Sequence, residues 1–246
     1  MQSSGNTILV TGGASGIGLA LTKRFVNRGD AVIICGRRED RLADVKREFP
    51  NIHTRVTDVA SAAEREELAK SLIREFPAIN VIVNNAGIQR RVDLTAAEDW
   101  EKTRSEIAIN LEAPIHLAQL FCSHLAQQDN AAVINVTSGL SFMPLANVPV
   151  YCATKAALHS FTLSLRWQLR ETSVRVIEII PPAVNTDLQA PGLHTFGVNV
   201  DEFADHVFKE LDTDSIEIAY GTAQTASRAS RETLDAIYQN MNSSFH

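Results

Sequence analysis

Thr-Ile-Leu-Val-Thr-Gly-Gly-Ala-Ser-Gly-Ile-Gly, residues 7–18, is the stretch whose reading decides the fold. Thr7 to Thr11 is a short β-branched and apolar run that stops at Gly12 and Gly13. From Gly16 to Asn27 the residues Ile17, Leu19, Ala20, Leu21, Phe25 and Val26 follow helical spacing, so the stretch predicts strand, glycine turn, helix. At such a junction glycines let the backbone turn tightly and approach a diphosphate without a Cβ in the way, and the helix start offers N–H groups to it. Gly12, Gly16 and Gly18, with Ser15 and Ile17 between them, are therefore candidates for holding a dinucleotide. A glycine turn with no ligand is the plainer alternative.

The unit recurs along the chain. Ala31 to Cys35 predicts a strand that breaks at Gly36, and a charged helix from Glu39 to Glu48 follows until Pro50. His53 to Thr57 is a weaker strand ending at Asp58, and Ser61 to Phe76 an amphipathic helix in which Ser61 and Glu64 are spaced as a capping box. Ile79 to Val83 is an apolar strand running into Asn84-Asn85-Ala86-Gly87. A long helix from Ala96 to Gln127 contains Asn110 and Pro114, which predicts a kink near Asn110. Ala131 to Thr137 is a strand ending at Ser138-Gly139, Val150 to Arg170 a helix, and Val174 to Ile180 a strand stopped by Pro181-Pro182. Residues 185–199 lack periodicity and predict a mobile loop; helix Asp201 to Leu211, strand Ile216 to Tyr220 and helix Thr222 to Asn240 complete the chain. This alternation, without a linker or repeat, predicts one α/β domain over 1–246: a doubly wound parallel sheet of about seven strands with helices on both faces. The 185–211 stretch is the expected substrate-binding loop or lid.

Composition narrows the function. A chain of 246 residues with 45% hydrophobic content can bury a full core, and a net charge of -6 gives no attraction for nucleic acid or an anionic membrane. Cys35, Cys122 and Cys152 lie far apart with no second ligand at a zinc-like spacing, so neither disulfide nor metal is expected. Met1 to Thr7 has no basic region before an apolar core, and nowhere do about 18 apolar residues run together. A cytoplasmic, soluble protein is the expectation.

Tyr151 and Lys155 stand four apart in the Val150 to Arg170 helix, so a phenol and an ammonium share one face. A nearby cation favours the phenolate of a group whose ordinary pKa is about 10. Taken alone, the spacing more often means an aromatic ring packed under a lysine stem.

Three residues separate the first and second glycines of the triplet and one separates the second and third; Asn84-Asn85-Ala86-Gly87, Asn110, Ser138, Tyr151 and Lys155 then follow in order. Over nearly its whole length the chain resembles the classical short-chain dehydrogenase/reductase family, a Rossmann-type fold. The resemblance implies an oxidoreductase interconverting a carbonyl and a secondary alcohol. Tyr151 would be the general acid and base, Ser138 would orient the substrate oxygen, and Lys155 would lower the pKa of Tyr151 and hold the nicotinamide ribose. Asn110 would anchor the water that links Lys155 to solvent. Asn85, Ala86 and Gly87, Asp58 with Val59 at the adenine, and Thr186 at the carboxamide would complete the cofactor site.

In this family a carboxylate at the end of the second strand selects NAD and a cation selects NADP; here Gly36 is followed by Arg37 and Arg38, so NADP(H) is expected, with NAD(H) possible. Pro182 replaces the family's glycine after the sixth strand, which fixes φ and removes an N–H. The substrate would be a small carbonyl or alcohol; Leu140, Phe142, Met143, Val148, Ala183 and Leu188 could border it, with ordinary packing as the alternative, and one of Gln89, Arg90 and Arg91 could reach an anionic group, although solvated surface arginines are the preferred reading. A homodimer or homotetramer built on 96–127 and 150–170 is implied. The Glu217 to Gly221 ending resembles a bacterial branch associated with teichoic acid D-alanylation, from which no substrate follows. The runner-up is a dinucleotide-binding regulatory or scaffold protein of the same fold, against which the retention of Asn110, Ser138, Tyr151 and Lys155 argues.

Overall fold

The computed structural model describes residues 4–186, 188 and 197–243. Its strands are β1 (Thr7–Thr11), β2 (Ala31–Gly36), β3 (His53–Val56), β4 (Ile79–Asn84), β5 (Ala132–Val136), β6 (Arg175–Ile180) and β7 (Glu217–Ala219). All pair in parallel, in the order β3-β2-β1-β4-β5-β6-β7. The winding reverses between β1 and β4, and a crevice outside the carboxyl ends of the strands at such a switch point is where ligands of open α/β sheets bind.

Alternation within each strand sends apolar side chains to both faces. Ile8 and Val10 of β1 join Leu21 and Phe25 of α1 (Gly16–Asn27), Leu42 and Val45 of α2 (Glu39–Glu48), and Phe203 and Val207 of α7 (Val200–Leu211). Leu9 points the other way, to Leu68 and Leu72 of α3 (Ala62–Glu75), Phe121 of α5 (Ala113–Leu125) and Leu165 of α6 (Pro149–Gln168). A sheet covered on both sides needs continuous apolar runs, and TILVT, AVIICG and INVIVN supply them. Phe25, Phe121 and Phe203 are fully buried, each worth about 1.5–3 kcal/mol of transfer free energy.

Several expectations are corrected. The long helix begins only at Trp100: α4 (Trp100–Ile107) passes through a π turn at Ala108–Glu112 into α5. Pro114 has no N–H for the carbonyl four residues back, at Asn110, so the helix widens by a residue there instead of merely bending. The final helix is two, α8 (Thr222–Arg228) and α9 (Arg231–Asn242), because Ala229 is extended and Ser230 starts a new cap, accepting from Thr233 N at 3.2 Å. The capping box is half made: Ser61 Oγ accepts from Glu64 N, but the Glu64 carboxylate takes the N–H of Asp58.

Of the 185–211 stretch, residues 187 and 189–196 lie outside the described residues. Its base is pinned by Val198 N donating to Ala183 O and Asn185 N to Val198 O, both at 2.9 Å. Residues 200–211 are scaffold and not a covering loop: α7 sinks Phe203, Ala204, Val207 and Leu211 into the core beside α1. The three cysteines are free thiols, Cys35 and Cys152 buried. Among the described residues no cluster of His, Cys, Asp or Glu could hold a metal, and no helix is long and apolar enough to cross a membrane.

Candidate functional site

One cavity of about 1080 Å³ runs from the glycine turn past Tyr151 to α9. Gly12 has φ +66, a conformation L side chains rarely adopt, and turns the chain out of β1. A Cβ on Gly18 would stand 2.3 Å from Gly12 O and 2.4 Å from Asn85 Nδ2, so glycine is required for the helix to start this close to the strand end. Asn85 is a brace as well as a wall: its Nδ2 donates to Thr11 O at 2.9 Å. Thr11 Oγ1 in turn accepts the N–H groups of Asn85 and Ala86, each at 3.0 Å, tying the ends of β1 and β4 together. Ser15, Gly16, Ile17, Ala86 and Gly87 line the same end of the cavity.

Beyond β2, Arg37, Arg38 and Arg41 face the cavity with Asp58 and Val59. Arg38 Nη2 donates to Ser15 Oγ at 3.0 Å, and Arg37 Nη1 lies 3.8 Å from Asp58 Oδ2. Nothing stands within 4 Å of where a Cβ on Gly36 would be. Three guanidinium groups against one carboxylate, beside open space, suit an anion. Arg41 was not singled out by the sequence pattern; its signal was its place in the first turn of α2, three and four residues on from Arg38 and Arg37, which precede that helix. Thr186 lies against Gly16. Despite Pro182, the turn after β6 closes through Gly139 N donating to Pro181 O at 2.9 Å.

Ser138, Tyr151, Lys155 and Asn110 are brought together. Ser138 Oγ caps the short helical turn after β5, accepting from Leu140 N at 3.1 Å, and Ser138 and Tyr151 line the cavity together. Burial pushes the phenol well above its ordinary range, and the neighbouring Ser138 hydroxyl pulls it back. Lys155 Nζ donates to Val136 O at 2.8 Å and lies 5.7 Å from the Tyr151 ring centroid; its own burial lowers its pKa to about 8.

Asn110 sits in the π turn, 1% exposed. Its Oδ1 accepts from Ile88 N at 2.9 Å while Nδ2 donates to Ile88 O at 2.8 Å and Thr154 Oγ1 at 3.2 Å. The amide thus locks the loop after β4 onto α6.

Other placements differ from expectation. Gln89 and Arg91 line the cavity, but Arg90 turns to the fully buried Glu106, Nε to Oε2 3.5 Å. Burial raises the Glu106 pKa, with Arg90 opposing. Leu140, Met143, Val148, Ala183 and Leu188 line the cavity, whereas Phe142 packs on the His159 ring, centroids 4.7 Å apart. His159 Nδ1 lies 2.9 Å from both oxygens of the buried Glu178, which also accepts from Thr137 Oγ1 at 2.7 Å. A glutamate inside an apolar strand carries no local signal of its partner on another element.

Comparison with known proteins agrees with this architecture. A family model described as short chain dehydrogenase matches residues 6–195. The chain is 46% identical over 248 aligned residues to "Uncharacterized oxidoreductase DltE" of Bacillus subtilis, with 98% of each chain covered. It is 35% identical over 181 residues to the NADP-dependent 3-hydroxy acid dehydrogenase YdfG of Escherichia coli strain K12, covering 72% of each. Among solved structures, a short chain dehydrogenase from Burkholderia cenocepacia J2315 in complex with NADP superposes with TM-score 0.85 at 27% identity, covering 97% of this chain and 99% of that one.

Proposed function

The chain belongs to the short-chain dehydrogenase/reductase family of oxidoreductases, and on that premise we propose that it interconverts a carbonyl and a secondary alcohol with NADP(H), Tyr151 moving the proton. The observation that carries the proposal is the convergence of Ser138, the Tyr151 phenol and the buried Lys155 ammonium in a cavity continuous with the glycine turn. A nucleotide-binding scaffold without turnover would need only the glycine turn.

NADP(H) is favoured by Arg37, Arg38 and Arg41 and by the absence of a side chain at Gly36; NAD(H) lacks its usual carboxylate partner there. The NADP complex of the Burkholderia relative and the NADP dependence of the Escherichia coli relative support the same choice. The glycine turn, Arg37, Arg38, Asp58, Val59, Asn85, Ala86, Gly87 and Thr186 would hold the cofactor, whose nicotinamide supplies or takes up the hydride.

Burial keeps the Tyr151 phenol protonated at neutral pH, loaded to give its Oη proton to a carbonyl oxygen in reduction. Ser138 Oγ orients that oxygen, and Lys155, charged below about pH 8, offsets the negative charge left on the phenol. Asn110 positions α6 through Thr154 and the β4 loop through Ile88. Exposed Trp100, Leu163 and Trp167 on α4 and α6 support pairing of two or four copies through these helices.

NADPH oxidation against a panel of ketones and aldehydes tests the reading. Tyr151→Phe should lower kcat by about 10²–10⁴-fold while NADPH affinity stays near the parent's. Activity within tenfold of the parent would refute it.

A further inference from the structure

We infer that α9 is the specificity wall of the substrate site, and that it selects carbonyl compounds with an uncharged apolar tail, gripped by Ile237 and Met241. The inference rests on the oxidoreductase reading for the reactive end only.

The helix is unlike the others. It buries none of its residues, yet carries an apolar stripe, Leu234, Ile237 and Met241, at helical spacing. Ile237 and Met241 line the cavity that also contains Tyr151. The far end of α9 is tethered across the cavity by one side chain: Asn242 Oδ1 accepts from Ala146 N at 2.7 Å and its Nδ2 donates to Pro144 O at 3.1 Å. Those two residues belong to the loop whose Leu140 and Leu145 pack against Val148, Tyr151 and Cys152. Leu140, Leu145, Val148, Ile237 and Met241 thus line one cavity with the Tyr151 phenol.

The chemistry of the occupant follows from what is missing. No charged residue occurs from Gly139 to Val150 or from Ala236 to Ser243, so neither of these two segments brings a charge to the cavity, whose cation on the side of the β4 loop is Arg91. A carboxylate reaching α9 would find no cation on that helix, whereas an apolar tail would meet Ile237 and Met241. Ile237 and Met241, only half-buried in the free protein, would complete their burial against hydrocarbon. Met adapts to tails of different shape, so length should matter more than branching. Asn242 acts as a positioning residue, setting how closely α9 approaches the 140–148 loop.

The experiment uses the full chain saturated with NADP⁺ and a series of N-methylalkanamides of increasing length, unreactive stand-ins for methyl ketones, with binding measured by calorimetry; the matching ketones are followed by NADPH oxidation. Parent affinity should rise about fourfold per methylene until the cavity is filled. The double variant Ile237→Ala with Met241→Ala should flatten that rise, binding the longest amide about tenfold or more weakly and the shortest unchanged, with NADPH affinity and melting temperature retained. Asn242→Ala should raise KM for long ketones only and leave kcat alone. A flat parent series, or a double variant that keeps the parent's rise, would overturn the inference. A rising amide series without ketone turnover would uphold the wall and refute the oxidoreductase reading. Ketone turnover indifferent to length would do the opposite.

Discussion

Replacing Lys155 with Met should make the protein more stable and inactive. The ammonium is 4% exposed, and burial drops its pKa from 10.5 to about 8. At about 1.4 kcal/mol per pKa unit, holding that charge in the folded chain costs about 3 kcal/mol at neutral pH. The penalty is full below about pH 8 and fades as pH rises toward 10.5, because between those values the unfolded chain binds the proton that the folded chain has released. Removing Nζ also removes its bond to Val136 O, at about 1–3 kcal/mol for a buried carbonyl left unpaired. Net stabilisation at pH 7 is therefore about 1 kcal/mol. The sharper quantity is the change with pH: the variant's advantage over the parent should fall by about 3 kcal/mol between pH 7 and pH 10.5. Urea unfolding of both proteins across that range, without cofactor, measures it. Parallel stability curves would refute the reasoning, since the burial of a charged lysine would then have no energetic consequence. The same variant should lose turnover and bind NADPH more weakly, which would mark Lys155 as a residue retained for function against stability.

The pair Arg37→Ala and Arg38→Ala should weaken NADPH by about 10–100-fold, the worth of one or more charged hydrogen bonds, and NADH little; equal losses in fluorescence titrations would show that neither guanidinium meets the extra phosphate. His159 has its pKa raised first by its hydrogen bond to Glu178, so the pairing stabilises the fold below the ordinary histidine value and fades as pH rises through the raised one. Melting temperatures of His159→Gln and parent should accordingly differ more at pH 6 than at pH 9, and a constant gap would mean that the proton plays no part. Static light scattering at working concentration should give a dimer or tetramer; a monomer would remove the interpretation of Trp100, Leu163 and Trp167 as interface residues.

Parallel-sheet architecture was legible because it is written in local terms. TILVT, AVIICG and INVIVN are apolar throughout because both faces are covered, and a glycine or an asparagine punctuates each carboxyl end. The glycine turn and the four-residue step from Tyr151 to Lys155 were equally plain, since close backbone approach and helical periodicity depend only on neighbours in sequence. Where a proline altered a helix, the disturbance could be anticipated at Asn110, but the partners of Asn110 in that π turn, Ile88 and Thr154, lie on other elements and left no local sign.

What the chain determined by itself, then, was the order of strands and helices and which residue types would meet at their ends. Only the tertiary structure decided what those residues feel. Burial pushes the Tyr151 phenol up and the Lys155 ammonium down; Arg90 belongs to Glu106 and not to the cavity; α7 is core while α9 lines the cavity. The physical reason is that desolvation and pairing act through space, between side chains far apart in sequence, and a one-dimensional pattern carries no record of which of them will be closed off from water.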